Sequence, residues 1–182
     1  MSKDRKVEVL YDEKTIADRV ETLASEIAAT APKDLLVVAI LKGSFMFAAD
    51  LLRALHRVGL APNVEFFHLS SYRDGMVSTG TVKILRDIES SARDRDVLLI
   101  DDILESGRTL AFAKDLLAAR GARRVLVCAL LEKPGKKEVV IHADFTGFVC
   151  PDLFVVGYGM DVAHAYRELP FIGHIVTEAG AE

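Results

Sequence analysis

Two adjacent carboxylates, Asp101 and Asp102, end the apolar run Val97, Leu98, Leu99, Ile100, and the small-residue stretch Glu105, Ser106, Gly107, Arg108, Thr109 comes after them. Two unpaired carboxylates are costly to bury, so this pair needs donors, which the vicinal hydroxyls of a ribose or a metal-bound sugar would supply. The small-residue stretch leads into a helical pattern, Leu110, Ala113, Leu116, Leu117, whose first N–H groups have no carbonyl partners within the helix and form an anion site. The chemistry suggested is a sugar held by its hydroxyls and a phosphate held by backbone N–H groups. A Walker-type loop would need G-x-x-x-x-G-K-[ST]; that spacing is absent here, which argues against an ordinary nucleotide triphosphatase. Taken singly, an Asp-Asp pair is an ordinary strand end and Ser106 an ordinary helix cap. The complete ordered string favours the ligand reading.

An uninterrupted apolar run of that length is typical of a strand buried on both faces, and a parallel strand delivers the residues after it to the carboxyl edge of the sheet, where open α/β sheets bind ligands. Further strands are predicted at 7–10, 35–41, 64–70, 81–85, 125–131 and 154–156, besides 97–100, with helices at 45–58 and 109–120. Ile16, Val20, Leu23 and Ile27 recur at helical spacing, with Pro32 closing that segment. The alternation predicts an α/β fold with a doubly wound, mostly parallel sheet flanked by helices. Gly121 is placed to end the 109–120 helix in a left-handed cap. The stretch YRDGMVSTG at 72–80 reads as a hairpin connection or as a mobile lid.

With 182 residues, 51% of them apolar, the chain is expected to form one domain, 1–182, around a substantial core. A net charge of −4 without a long Lys/Arg run lacks the usual footprint of nucleic-acid binding. The apolar stretches are too short to span a bilayer and the start, MSKDRKVE, is not a signal peptide, so a soluble cytoplasmic protein is expected. Cys128 and Cys150 lack metal-ligand spacing and are expected in or near the core without a disulfide. His56, His68, His142, His164 and His174 are scattered, again without ligand spacing.

The string VLLIDDILESGRTL at 97–110 resembles the phosphoribosyl-pyrophosphate (PRPP) signature of the type I phosphoribosyltransferases. The order LKGSF at 41–45, SSY at 70–72, EKP at 132–134 and PDLFVVGYGMD at 151–161 is similar to the hypoxanthine-guanine phosphoribosyltransferase branch over nearly the whole chain. The resemblance implies the type I fold with a small hood built from the terminal segments. It also implies Mg²⁺-dependent transfer of ribose 5-phosphate from PRPP to a 6-oxopurine, in a homodimer or homotetramer. By the same resemblance, Asp101, Asp102, Glu105, Ser106, Gly107, Arg108 and Thr109 bind the ribose and its 5′-phosphate. Lys42, Gly43, Ser71, Tyr72 and Arg167 serve pyrophosphate, with a cis peptide before Lys42, and the segment at 72–80 closes over the reaction centre. Phe154 stacks on the base, the backbone of Val155 reads its ring edge, and Lys133 donates to O6, where the amino group of adenine would present a second donor. Asp161 joins the purine site and, with Asp101 and Asp102, the Mg²⁺ contacts. Standing alone, Lys42, Lys133 and Asp161 would be solvated side chains, Phe154 a core aromatic, and Arg167 a surface partner of Glu168.

Two positions depart from the family pattern. Glu105 occupies the place usually held by the aspartate thought to take the purine N7 proton, and Asp101 stands where glutamate is frequent. Glu105 either keeps the proton-accepting duty from one methylene further away or mainly positions the base. Competing readings are a PRPP-sensing regulator that binds RNA or DNA on the same scaffold, and a transferase for xanthine or a pyrimidine. Phe154 and Lys133 argue against a pyrimidine, whereas hypoxanthine, guanine and xanthine stay unranked.

Overall fold

Strands that are apolar on both faces need cover on both sides, and the computed structural model, which describes residues 6–71 and 82–176, has that arrangement. In β2 (Leu36–Leu41) and β5 (Asp96–Leu104), successive side chains enter two different cores. Val37, Ala39, Leu98 and Ile100 pack with α1 (Glu13–Ala29) and α2 (Phe45–Arg57). Leu36, Val38, Ile40, Val97 and Leu99 pack with α3 (Arg108–Ala119) on the other face. Helices thus cover both sides of the sheet.

The other members of this sheet are β3 (Asn63–Ser71), β4 (Val82–Arg86), β6 (Arg124–Glu132) and β7 (Phe145–Val149), in the order β4-β3-β2-β5-β6-β7. All neighbours are parallel except β3 and β4. From β2 the chain proceeds to β3 on one side, and from β5 to β6 on the other, so the topological switch point lies between β2 and β5. Crevices of this kind at the carboxyl ends of strands are where doubly wound folds bind ligands.

A second, antiparallel sheet, β1-β9-β8, joins β1 (Val7–Tyr11), β9 (Ile172–Ile175) and β8 (Val155–Val156). This is the expected hood, and it takes the predicted 7–10 and 154–156 strands out of the main sheet. Strands β7 and β9 have no counterpart in the sequence pattern. Their sequences, FTGFV and IGHI, each contain a glycine chosen by packing: a Cβ on Gly147 would overlap the Leu130 carbonyl, and one on Gly173 would overlap Val7 and the Glu8 carbonyl. Those contacts are tertiary and leave no local pattern to read.

Helix α1 begins at Asp12, whose Oδ1 accepts from the Thr15 N–H at 2.7 Å, and buries the predicted Ile16, Val20, Leu23 and Ile27. Helix α3 is followed by Gly121 at φ +86°, the expected left-handed position. Cys128 and Cys150 are free and buried. Among the described residues no helix is long and apolar enough to cross a membrane.

Candidate active site

Strand β5 runs further than predicted, so Asp101 and Asp102 lie inside it rather than beyond its end, with Asp101 opposite Ala129 of β6. The Asp101 side chain accepts from the Asp102 N–H at 3.0 Å. Asp101 is only 7% exposed, and burial first, then the Asp102 charge, pushes its carboxyl well above the usual range. Gly43, just past the end of β2, approaches this pair so closely that a Cβ would overlap the Asp102 carboxylate. The Leu41–Lys42 peptide is cis, and the Lys42 side chain is exposed.

A cavity of about 250 Å³ occupies the switch point, lined by the end of β2, by Asp101, Asp102 and Glu105, and by Ser106, Gly107 and Thr109 at the start of α3. Gly107, at φ +80°, is the N-cap of α3, and a Cβ there would overlap Ile141. Its conformation turns the chain so that the first N–H groups of α3 border the cavity, which makes that end suited to a phosphate. Ser106 does not take the N-cap position; its Oγ accepts from the Arg108 N–H at 3.4 Å. Arg108 pairs with Glu138, and the Glu138 N–H donates to the Ser106 carbonyl at 2.9 Å, so a second segment backs the loop.

The pairing of Leu104 with Glu132 sets the next residues of the two strands side by side. Lys133 Nζ lies 3.4 Å from Glu105 Oε1, and Lys133 is 6% exposed, not the solvated side chain that a charged turn would carry. Glu132 is engaged from the other side by Lys137 at 2.7 Å and Thr146 at 2.8 Å; the Lys137 ammonium first, then the Thr146 hydroxyl, hold its carboxyl below the usual range. An acid and a buried lysine therefore stand together beside the carboxylate pair.

Further sequence-predicted residues lie in the hood and in the segment leading to β9, outside the cavity lining. Phe154 is 60% exposed, unlike a core aromatic, and Val155 is buried in β8. Arg167 does not pair with Glu168. Its Nη2 meets Asp161 Oδ1 at 2.6 Å, and its Nη1 donates to the Gly159 carbonyl at 2.5 Å. Gly159, at φ +100°, packs so closely on Gly43 that a Cβ would overlap the Gly43 carbonyl, which brings Arg167 and Asp161 toward the Lys42 loop. Of the sequence-predicted site residues, Tyr72 falls outside the described residues together with the whole 72–80 stretch, and of Ser71 only its backbone place at the end of β3 is described. Sequence reasoning passed over Gly159, Glu138 and Tyr158. Gly159 and Tyr158 carried a signal in the G-Y-G of the 151–161 string, whereas Glu138 carried none.

The donor set suits Mg²⁺. Among the described residues no three His, Cys, Asp or Glu side chains gather into a group that could hold a metal. Mg²⁺ characteristically takes one or two carboxylates and completes its shell with water and substrate oxygens, and the crowded Asp101 and Asp102 carboxylates provide such a half-site.

Residues 6–163 match the family model described as the phosphoribosyl transferase domain. The chain is 42% identical over 173 residues to a hypoxanthine phosphoribosyltransferase of Escherichia coli strain K12, covering 93% of this chain and 96% of that one. Among solved structures, a hypoxanthine phosphoribosyltransferase from Staphylococcus aureus superposes with a TM-score of 0.88 at 40% identity, covering 95% of this chain and 92% of that one. A hypoxanthine-guanine phosphoribosyltransferase from Bacillus anthracis superposes with a TM-score of 0.88 at 38% identity, over 95% and 100% of the two chains. Model, relatives and fold agree with the carboxylate pair, the glycine-started helix and the buried lysine: the chain belongs to the phosphoribosyltransferase family, among the hypoxanthine phosphoribosyltransferases.

Proposed function

We propose that this chain joins N9 of hypoxanthine to C1′ of PRPP, releasing pyrophosphate and forming IMP, with guanine as a second base and Mg²⁺ as the required cation. The observation that carries this reading is the Glu105–Lys133 pair beside Asp101 and Asp102. O6 and N7 share one edge of a 6-oxopurine, so a lysine donor and a carboxylate 3.4 Å apart are matched to that edge. Adenine would present its amino group to the Lys133 ammonium and is rejected by two facing donors.

Asp101 and Asp102 accept from the ribose hydroxyls, and Ser106, Gly107, Arg108 and Thr109 at the start of α3 hold the 5′-phosphate. Lys42, Gly43 and Arg167 hold the pyrophosphate, together with Ser71 and Tyr72. Phe154 stacks on the purine and the Val155 backbone meets its edge. As the bond from C1′ to the pyrophosphate oxygen breaks, its electron pair leaves with pyrophosphate while the N9 lone pair forms the new C1′–N bond. Glu105 accepts the proton from N7 and Lys133 steadies O6. Asp101 and Asp102, and separately Asp161, would hold Mg²⁺ together with substrate oxygens, and the ion would neutralise charge on the leaving group. The reading extends to a cytoplasmic homo-oligomer, and two free buried cysteines suit a reducing compartment.

The test is nucleotide formation from hypoxanthine, guanine, xanthine, adenine and uracil, each with PRPP and Mg²⁺, followed by ultraviolet absorbance. Turnover of hypoxanthine and guanine with adenine and uracil inert is expected. A preference for xanthine would overturn the base assignment, and silence on every base alongside tight RNA binding would make the chain a regulator.

A further inference from the structure

Tyr158 occupies a place where a glycine would fit with less strain. It sits at φ +49° between Gly157 at +93° and Gly159 at +100°, in a tight turn closed by hydrogen bonds between Gly157 and Met160 at 3.1 and 3.0 Å. Bulky side chains rarely adopt this backbone conformation, and they persist there where the surroundings hold them for a purpose. Its side chain is 7% exposed and reaches across to α2, where the phenol donates to Asp50 Oδ2 at 2.6 Å. The other Asp50 oxygen accepts from Arg53 at 2.8 Å, so the acceptor is itself oriented. Burial first, then the Asp50 carboxylate, pushes the phenol far above its ordinary pKa and keeps it protonated as the donor.

The turn and the helix that this bond ties together each carry one half of the pyrophosphate subsite. Helix α2 begins directly after Lys42, Gly43 and Ser44. The turn touches the Gly43 carbonyl through Gly159, accepts from Arg167 at the Gly159 carbonyl, and is clamped to the following segment by the Tyr158 N–H on Leu169 and the Gly159 N–H on Arg167, at 2.9 and 3.0 Å. We propose that Tyr158, through its hydrogen bond to Asp50, is a positioning residue that sets the spacing between the Lys42 loop and Arg167; this rests on the assignment of those residues to pyrophosphate under the proposed function. Glu105 and Lys133, which meet just beyond β5 and β6, take no part in this bond.

The test is steady-state kinetics of Tyr158→Phe and Asp50→Ala in both directions, with thermal unfolding alongside. Each variant raises KM for PRPP, and for pyrophosphate in the reverse reaction, by about tenfold, because a displaced binding group loses much of its contact energy. KM for hypoxanthine and IMP stays within about twofold, since the Glu105–Lys133 pair takes no part in the bond. The double variant is no worse than either single one, because both remove the same bond, and Asp50→Asn, which keeps an acceptor oxygen, restores most of the affinity. Unchanged constants for PRPP and pyrophosphate overturn the proposal, as does a parallel loss in every constant with lowered Tm, the signature of a purely structural tie. Should Tyr158→Phe fail to fold, Asp50→Ala reads the same bond from the other end. Arg167→Ala is the control: an unchanged pyrophosphate constant there overturns the subsite assignment and the proposal with it, while a raised constant beside a silent Tyr158→Phe overturns the proposal alone.

Discussion

Strand β5 carries one buried aspartate at its start and another, Asp101, in its second half, and the two halves treat the same side chain in opposite ways. Asp96, at the start, is fully buried, and its Oδ2 accepts from three donors, the Lys33 N–H at 2.9 Å, Arg124 at 2.8 Å, and Arg123, while its Oδ1 has no hydrogen-bond partner among the described residues. Burial alone would raise its carboxyl, but the Lys33 N–H and the two guanidiniums outweigh that and hold it below the usual range. Asp101, five positions on, has the Asp102 N–H at 3.0 Å and the Asp102 charge beside it, and its carboxyl is pushed up. A carboxylate whose partners are built in belongs to the fold, whereas one buried against a like charge next to a cavity is arranged for a ligand. Conversely, the ligand half gives up stability for function.

Substitutions in the two halves sharpen that contrast. The largest effect is expected for the double change Asp101→Asn with Asp102→Asn, which lowers kcat/KM for PRPP by about a thousandfold, as losing charged ligands of a reacting group does. The same protein unfolds about 2 °C higher without ligand, because a buried repulsion is removed; a Tm below that of the parent would break the contrast. Next, Glu105→Gln lowers kcat by about a hundredfold, the usual loss for a general base. A near-parental rate would reduce Glu105 to positioning the base. The smallest effect on activity belongs to Asp96→Asn, which leaves kcat within about twofold and lowers Tm by about 6 °C through the loss of a buried ion pair. Since Asp96 has a depressed carboxyl pKa in the folded chain, its stabilisation is fully present above about pH 4 and is lost as pH falls through the folded value. Unfolding scans from pH 7 to pH 3 should therefore show the gap between parent and variant closing at the acid end.

The two halves also differ in how far they can be read from the chain. Asp101, Asp102 and the stretch from Glu105 to Thr109 lie close together in the chain, so strand, carboxylates and helix start appear in one string, and all of them except Arg108, which pairs with Glu138, line the cavity. Asp96 gives no such sign, because its partners lie 63, 27 and 28 residues away and only the parallel register unites them. The same reason hides the Glu105–Lys133 contact as geometry: it comes from the pairing of Leu104 with Glu132. Phe154, Val155, Asp161 and Arg167 are legible through family resemblance alone, since they sit on short strands and turns with no periodicity. The actual partner of Arg167 is Asp161, six positions earlier, instead of its neighbour Glu168. The G-Y-G of the 151–161 string marks a turn at Tyr158 but not its partner, because the bond to Asp50 spans 108 residues.

If the carboxylates of β5 and the buried Lys133 act on one substrate, a crystal structure of this chain with IMP and Mg²⁺ will place the 5′-phosphate on the N–H groups of Gly107 and Thr109, the ribose hydroxyls on Asp101 and Asp102, the purine against Phe154, and Lys133 donating to O6 with Glu105 at N7. A nucleotide bound with its phosphate away from α3, or with its base out of reach of Lys133, would contradict it.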